Sequence, residues 1–255
     1  MTTNPFSLAG KTALITGSSK GIGKALARAL AQAGAHVVLN GRDLSALRKA
    51  LEEFTAEGLS ASSCAFDVTD EAAVNNAING IESAGRAINV LVNNSGIQIR
   101  NPLENYATAD WDKLMATNLK SVFIVSRAVA QNMIKRGGGK MINIVSVNAE
   151  HARYSIAPYS ASKGAIKMLT KGMCVDWARY GIQVNGLGPG YFETELTASL
   201  VADPEFTGWV KKRVPAGRWG DVKELGGAAV FLASSASDFV NGHTLYVDGG
   251  ITATL

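Results

Sequence analysis

An α/β fold built on one seven-stranded parallel sheet, with helices on both faces, is what this 255-residue chain predicts. Three observations carry the prediction. Short apolar runs rich in β-branched residues recur along the chain, stretches of helical pattern separate them, and the first run ends in a glycine-rich turn that opens a helix. Parallel strands need long crossovers and become apolar throughout when both faces are covered, which is the texture of these runs. With 47% hydrophobic content the chain can bury a large core as a single domain, residues 1–255, and it shows no internal repeat or low-complexity linker.

The strands are expected, in chain order, at KTALIT, HVVLN, SSCAF, NVLVNN, KMINIV, IQVNGL and TLYVDGG. Helices are expected at residues 20–33, 43–57, 70–84, 110–136, 159–180 and 221–232. Several begin at an aspartate (Asp43, Asp70, Asp110, Asp221) whose carboxylate can accept from free amide groups. Gly137, Gly138 and Gly139 mark a loop before the fifth strand. Residues 190–218 carry no strand pattern and are expected to fold over a site as a lid.

Composition sets aside several classes. The net charge of +4 comes from scattered cations, the densest cluster being Lys211, Lys212 and Arg213, so nucleic acid is not the expected partner. His36, His151 and His243 are isolated and make no ligand spacing, so no metal is expected. Cys64 and Cys174 have no partner motif, which points to a reducing compartment. No apolar run approaches the ~20 residues of a spanning helix, and the N-terminus has no charged-then-apolar leader. A cytoplasmic location is expected.

ALITGSSKGIGKALARAL reads as strand, glycine turn and helix start. A pyrophosphate can there approach bare backbone and meet the positive end of a helix dipole. Gly17, Gly21 and Gly23 are spaced G-x-x-x-G-x-G, so the prediction rests on the strand-turn-helix context. The second strand ends at Asn40, where a sheet selecting NAD tends to place an acid against the adenosine ribose. With Arg42 two residues on and Lys20 in the turn, two cations can instead meet the 2′-phosphate of NADP. The plainer alternative is an exposed Arg42 with Asp43 merely capping the next helix, and NAD stays possible.

Tyr159 and Lys163 stand four residues apart, on one face of a helix. An ammonium group beside a phenol favours the phenolate and brings proton transfer within reach of neutral pH. The spacing alone is equally consistent with a solvated helix face.

Together these segments resemble the short-chain dehydrogenase/reductase family over essentially the whole chain. The matching residues are TGSSKGIG at Thr16 to Gly23, Asp67, NNSG at Asn93 to Gly96, Asn118, Ser146, YSASK at Tyr159 to Lys163, and Pro189–Gly190. Ser95 departs from the usual alanine of the third motif. The resemblance implies a Rossmann fold and an oxidoreductase that interconverts a secondary alcohol and a ketone with NADP. By it, Tyr159 exchanges a proton with the substrate oxygen, Ser146 hydrogen-bonds that oxygen, and Lys163 lowers the phenol pKa and holds the nicotinamide ribose. Asn118 positions a water linking Lys163 to solvent. The cofactor would meet Gly17, Ser19, Lys20, Gly21, Ile22 and Gly23, then Asn40 and Arg42. Asp67 and Val68 would lie at the adenine, Asn94, Ser95 and Gly96 beside the cofactor, and Pro189, Gly190 and Thr194 near the carboxamide. A homotetramer is also implied.

For the substrate, VVLNGRD, PAGRWGD and DFVNGHTLYVDGG are closest to family members that act on a sugar acid. A sugar acid or polyol needs a cation for its carboxylate and polar groups for its hydroxyls. Arg100 and Arg153, with Glu150 and His151 nearby in sequence, are the candidates. A 3-oxoacyl carrier-protein reductase is the alternative enzyme, and an NADP-binding sensor the alternative without catalysis.

Overall fold

The computed structural model describes residues 4–254. The strands are β1 (Thr12–Ile15), β2 (His36–Gly41), β3 (Ala61–Ala65), β4 (Ile88–Asn93), β5 (Gly139–Ile144), β6 (Ile182–Pro189) and β7 (Thr244–Val247). Among the described residues they form a seven-stranded sheet in the order β3-β2-β1-β4-β5-β6-β7, every pairing parallel. The α-helices are α1 (Gly21–Gln32), α2 (Leu44–Ala56), α3 (Glu71–Ser83), α4 (Thr108–Met115), α5 (Ser121–Arg136), α6 (Ala157–Trp177), α7 (Ala198–Val201), α8 (Pro204–Arg213) and α9 (Gly226–Ala233).

Alternation along the strands builds two cores. Ala13, Ile15, Val37, Leu39, Val90 and Val92 pack with α1, α2 and α9, while Leu14, Val38, Leu91 and Met141 pack with α3, α5 and α6. Successive side chains point to opposite faces and both faces are covered, so the inner strands are apolar throughout. The edge strands differ: β3 and β7 are only partly buried, which is why Ser62 and Ser63 are tolerated in β3.

Two helix boundaries depart from expectation. The span 110–136 is not one helix: α4 and α5 are separated by a π-helical turn at Ala116–Lys120, at whose centre Asn118 is fully buried. A π turn admits an extra residue and re-aims side chains, commonly at functional sites. Asp110 is not the cap either, since α4 starts at Thr108 and Asp110 sits in its first turn. Asp43 and Asp70 do cap α2 and α3. Asp221 caps a 3₁₀ turn, Val222–Leu225, in a capping box with Glu224, and α9 follows it.

Strand order reverses between β1 and β4, so the chain leaves their carboxyl ends in opposite directions and a crevice opens there. Residues 190–218 form α7, α8 and their connections, with one parallel bridge from Phe192 to Gly220. No helix among the described residues is long and apolar enough to cross a membrane.

Candidate active site

The glycine turn lies at the crevice, and its backbone is fixed from three directions. Asn94, which follows β4, donates its side-chain amide to the Thr16 and Gly17 carbonyls, each at 2.9 Å. Thr16 Oγ1 accepts from the Asn94 and Ser95 amides. The Gly17 amide donates to Asn40 Oδ1 at 3.2 Å. Gly17 and Gly21 adopt left-handed φ values of 61° and 56°, which glycine tolerates without strain. At Gly23 a Cβ would lie 2.4 Å from the Gly17 carbonyl oxygen, so only glycine lets α1 begin this close to the turn. A bare-backbone cradle at a helix N-terminus suits a pyrophosphate. Ser19 and Ile22 are half-buried and Lys20 is exposed at its rim.

Asn40 has a different role from the expected one. It is 1% exposed, and its side chain is committed to the Gly17 amide and to the Cys64 and Phe66 carbonyls, so it ties the turn to β3 and presents nothing to a ribose. Strand alternation puts the outward position one residue later. A Cβ on Gly41 would lie 3.4 Å from Ser19 Oγ, against the glycine turn. Gly41 was missed in the sequence because the motif draws attention to side chains, whereas here a missing one leaves room. Arg42 is exposed and pairs with Asp67 at 3.1 Å, and Val68 is buried behind them. Burial pushes the Asp67 carboxyl up, but the Thr69 amide and hydroxyl and the Arg42 guanidinium together hold it below its ordinary value.

Ser146 follows β5, and Tyr159 and Lys163 lie one turn apart near the start of α6. The intervening loop holds Ser155 at a φ of 65°, a left-handed conformation that costs about 1 kcal/mol or more and marks a constrained segment. Ser146 Oγ accepts from the Asn148 amide, and Ser146 lies near enough to Tyr159 to act on its phenol. Lys163 is buried, donates from Nζ to the Ile144 carbonyl at 2.7 Å, and stands 5.8 Å from the Tyr159 ring centre. Burial pulls its pKa down to about 8. The phenol departs from expectation: burial pushes Tyr159 above its ordinary value, with Ser146 acting the other way. Lys163 directs its ammonium at the Ile144 carbonyl, and loss of water is the largest influence on the phenol.

Asn118 is fixed in place through its side chain. Its side chain accepts from the Ile97 amide and donates to the Ile97 carbonyl and to Ser162 Oγ, and Ser162 in turn donates to the Tyr159 carbonyl. Through these bonds it clamps the loop after β4 to the catalytic end of α6. Gly96 passes beside it, a Cβ there lying 3.4 Å from Asn118 Oδ1.

The two candidate arginines come together from separate loops, which the bond from the Asn101 amide to the Ser155 carbonyl ties to each other. Burial, and then the Arg153 charge, hold Arg100 below the usual guanidinium value. Arg153 lies over the rings of Phe206 and Tyr191, at 4.5 and 5.9 Å, and its Nε is buried without a partner among the described residues. A cavity of about 430 Å³ opens beside it, lined by Arg153, Asp203, Glu205, Phe206 and Trp209. Glu150 is not part of this group, because it pairs with Lys167 and Tyr246, and His151 is exposed. Pro189 is buried at the end of β6, and Gly190 is where the chain passes Asp248, since a Cβ there would lie 2.7 Å from Asp248 Cα. Thr194 is held in a local turn by Thr197, while Glu195 reaches back to the glycine turn, 3.3 Å from where a Cβ on Gly21 would be.

A doubly wound sheet with a phosphate cradle at its switch point, and a serine, tyrosine and lysine gathered one strand away, defines a nucleotide-dependent oxidoreductase. The chain belongs to the short-chain dehydrogenase/reductase family: the family model described as enoyl-(acyl carrier protein) reductase matches residues 17–252. The chain is 59% identical to a gluconate 5-dehydrogenase of Gluconobacter oxydans, over 98% of each chain. It is 52% identical to a 5-keto-D-gluconate 5-reductase of Escherichia coli, over 96% of this chain and 97% of the relative. The crystal structure of a gluconate 5-dehydrogenase from Burkholderia cenocepacia, in complex with NADP and tartrate, superposes with a TM-score of 0.96 at 57% identity, covering 98% of both chains.

Proposed function

We propose that this chain is an NADP-dependent dehydrogenase that interconverts D-gluconate and 5-keto-D-gluconate. The observation that carries the reading is the convergence of Arg100 and Arg153 on the side of the Ser146–Tyr159–Lys163 cluster, a cationic end fitted to a carboxylate. The names of the Gluconobacter and Escherichia coli relatives, and the NADP and tartrate of the Burkholderia complex, support it.

NADP supplies or accepts the hydride when bound. The rest falls to the protein. The glycine turn and the first turn of α1 receive the pyrophosphate, and Arg42 and Lys20 the 2′-phosphate. Ser146 holds the substrate oxygen while Tyr159 gives or takes its proton, and Lys163 sets a positive charge beneath them. Residues 190–218 act as a lid, with Glu195 at the turn and Tyr191 at the substrate end. The direct test is absorbance of the reduced cofactor with a panel of polyols, sugar acids and 3-oxoacyl thioesters. Gluconate with NADP, and 5-ketogluconate with NADPH, are expected to turn over fastest; faster turnover of an oxoacyl thioester would replace this reading with the reductase alternative.

Gly41→Asp tests the cofactor assignment. A carboxylate at that position would stand against the glycine turn and compete for Arg42, repelling the 2′-phosphate. The expected result is a fall in kcat/KM with NADP of about 100-fold, with NAD unaffected or improved. Unchanged preference in paired assays would move the 2′-phosphate elsewhere.

The same reading includes a cytoplasmic homotetramer. An apolar groove of about 740 Å³ runs between α4–α5 and α6, lined by Met115, Leu119, Phe123, Met168 and Leu169, with Phe123 and Met168 well exposed. A patch of this kind suits a second copy of the chain.

A further inference from the structure

Tyr191 belongs to none of the sequence motifs, yet it stands at the meeting point of the substrate end. It follows Pro189 and Gly190 at the end of β6 and packs against the small apolar cluster that contains Val147, the residue after Ser146. The Phe206, Trp209 and Trp219 rings meet it at 5.9, 5.5 and 5.7 Å, all edge to face, so its orientation is fixed on every side. Arg153 lies over the same ring, and the charges of Arg153, Arg100 and Arg213 act on its hydroxyl. Of these, Arg213 is tied to the C-terminal segment through Thr254 and the Ile251 carbonyl, whereas Arg153 keeps a buried Nε donor without a partner among the described residues. Burial keeps the Tyr191 hydroxyl protonated and able to donate, and it is near enough to act on Tyr159.

We propose that Tyr191 determines substrate specificity: its hydroxyl joins Arg100 and Arg153 in gripping the carboxylate of a hydroxy acid. With the acid end held there, a hydroxyl several bonds away is the one delivered to Ser146 and Tyr159. A neutral polyol gains nothing from the grip. The inference rests on the gluconate reading for its substrate but not for its chemistry, which is recognition of a carboxylate by two guanidinium groups and a phenol.

Tyr191→Phe keeps the ring and its aromatic neighbours, so an unchanged melting temperature is expected. Two readouts test the grip. Tartrate titrated by calorimetry into the NADP-loaded protein should bind about tenfold more weakly to the variant, and KM for gluconate should rise about tenfold with kcat held within about threefold. Turnover of a neutral polyol should not change. An equal tartrate affinity in both proteins, no tartrate binding to the unaltered protein, or a parallel loss with acidic and neutral substrates would each overturn the proposal. Tyr191-dependent tartrate binding without gluconate turnover would leave the grip standing and reject gluconate as the substrate.

Discussion

Tyr159→Phe is expected to lower kcat by about 10³-fold while leaving NADP affinity within about twofold of its original value. The substitution removes one oxygen and keeps the ring, so the packing at the start of α6 should survive. What goes is the only group at this position that can pass a proton to the substrate oxygen while Ser146 holds it. Burial raises the phenol above its ordinary value, so at neutral pH it is the protonated donor, suited to ketone reduction as the structure stands. Oxidation requires the phenolate, and a rate that climbs with pH in that direction should accompany the assignment. A variant that kept turnover within about tenfold would show that the proton travels by another route.

Lys163→Met should separate function from stability in opposite directions. Activity is expected to fall by about 10³-fold or more, because the positive charge beneath the phenol is lost. The fold should become more stable. Burial lowers the ammonium from 10.5 to about 8, equivalent to about 3 kcal/mol of strain against the charged form. One hydrogen bond to the Ile144 carbonyl returns about 1 kcal/mol of that. A net gain of about 1–2 kcal/mol in the methionine variant follows, seen as a higher melting temperature. The pH dependence has a definite sign. Between about 8 and 10.5 the unfolded chain binds a proton at this position that the folded chain does not, so stability of the unaltered protein rises with pH through that window. The advantage of the variant should therefore be full below pH 8 and fade above it. A methionine variant that melts lower at pH 7 would show that the buried ammonium is paired well enough to stabilise the fold.

Strand positions, the covering of both sheet faces by helices and the glycine turn were all legible in the chain, because each depends on local pattern: β-branched runs of the right length, helical period between them, and glycines at the first strand–helix junction. The Tyr159–Lys163 pairing was legible for the same reason, as a fixed spacing on one helix. The interrupted helix at 116–120 was not, since a π turn is stabilised by what Asn118 meets across the crevice, namely Ile97 and Ser162, and neither is its sequence neighbour.

The role of Asn40 shows the same boundary. As a residue type at the end of β2 it looks like a ribose contact, and only the pairing of β1, β2 and β3 turns it inward and leaves Gly41 facing the turn. Arg100 and Arg153 were visible as cations in loops, but their meeting beside Tyr191 was not.

By itself the sequence determined the doubly wound sheet, the phosphate cradle and the set of residues able to move a proton, because those features are carried by short-range spacing and residue chemistry. Only the tertiary structure decided the direction of the Lys163 ammonium, the upward displacement of the Tyr159 pKa and the aromatic setting of Tyr191. Those depend on how much water the packed chain excludes and on contacts between segments far apart along it, which no local pattern encodes.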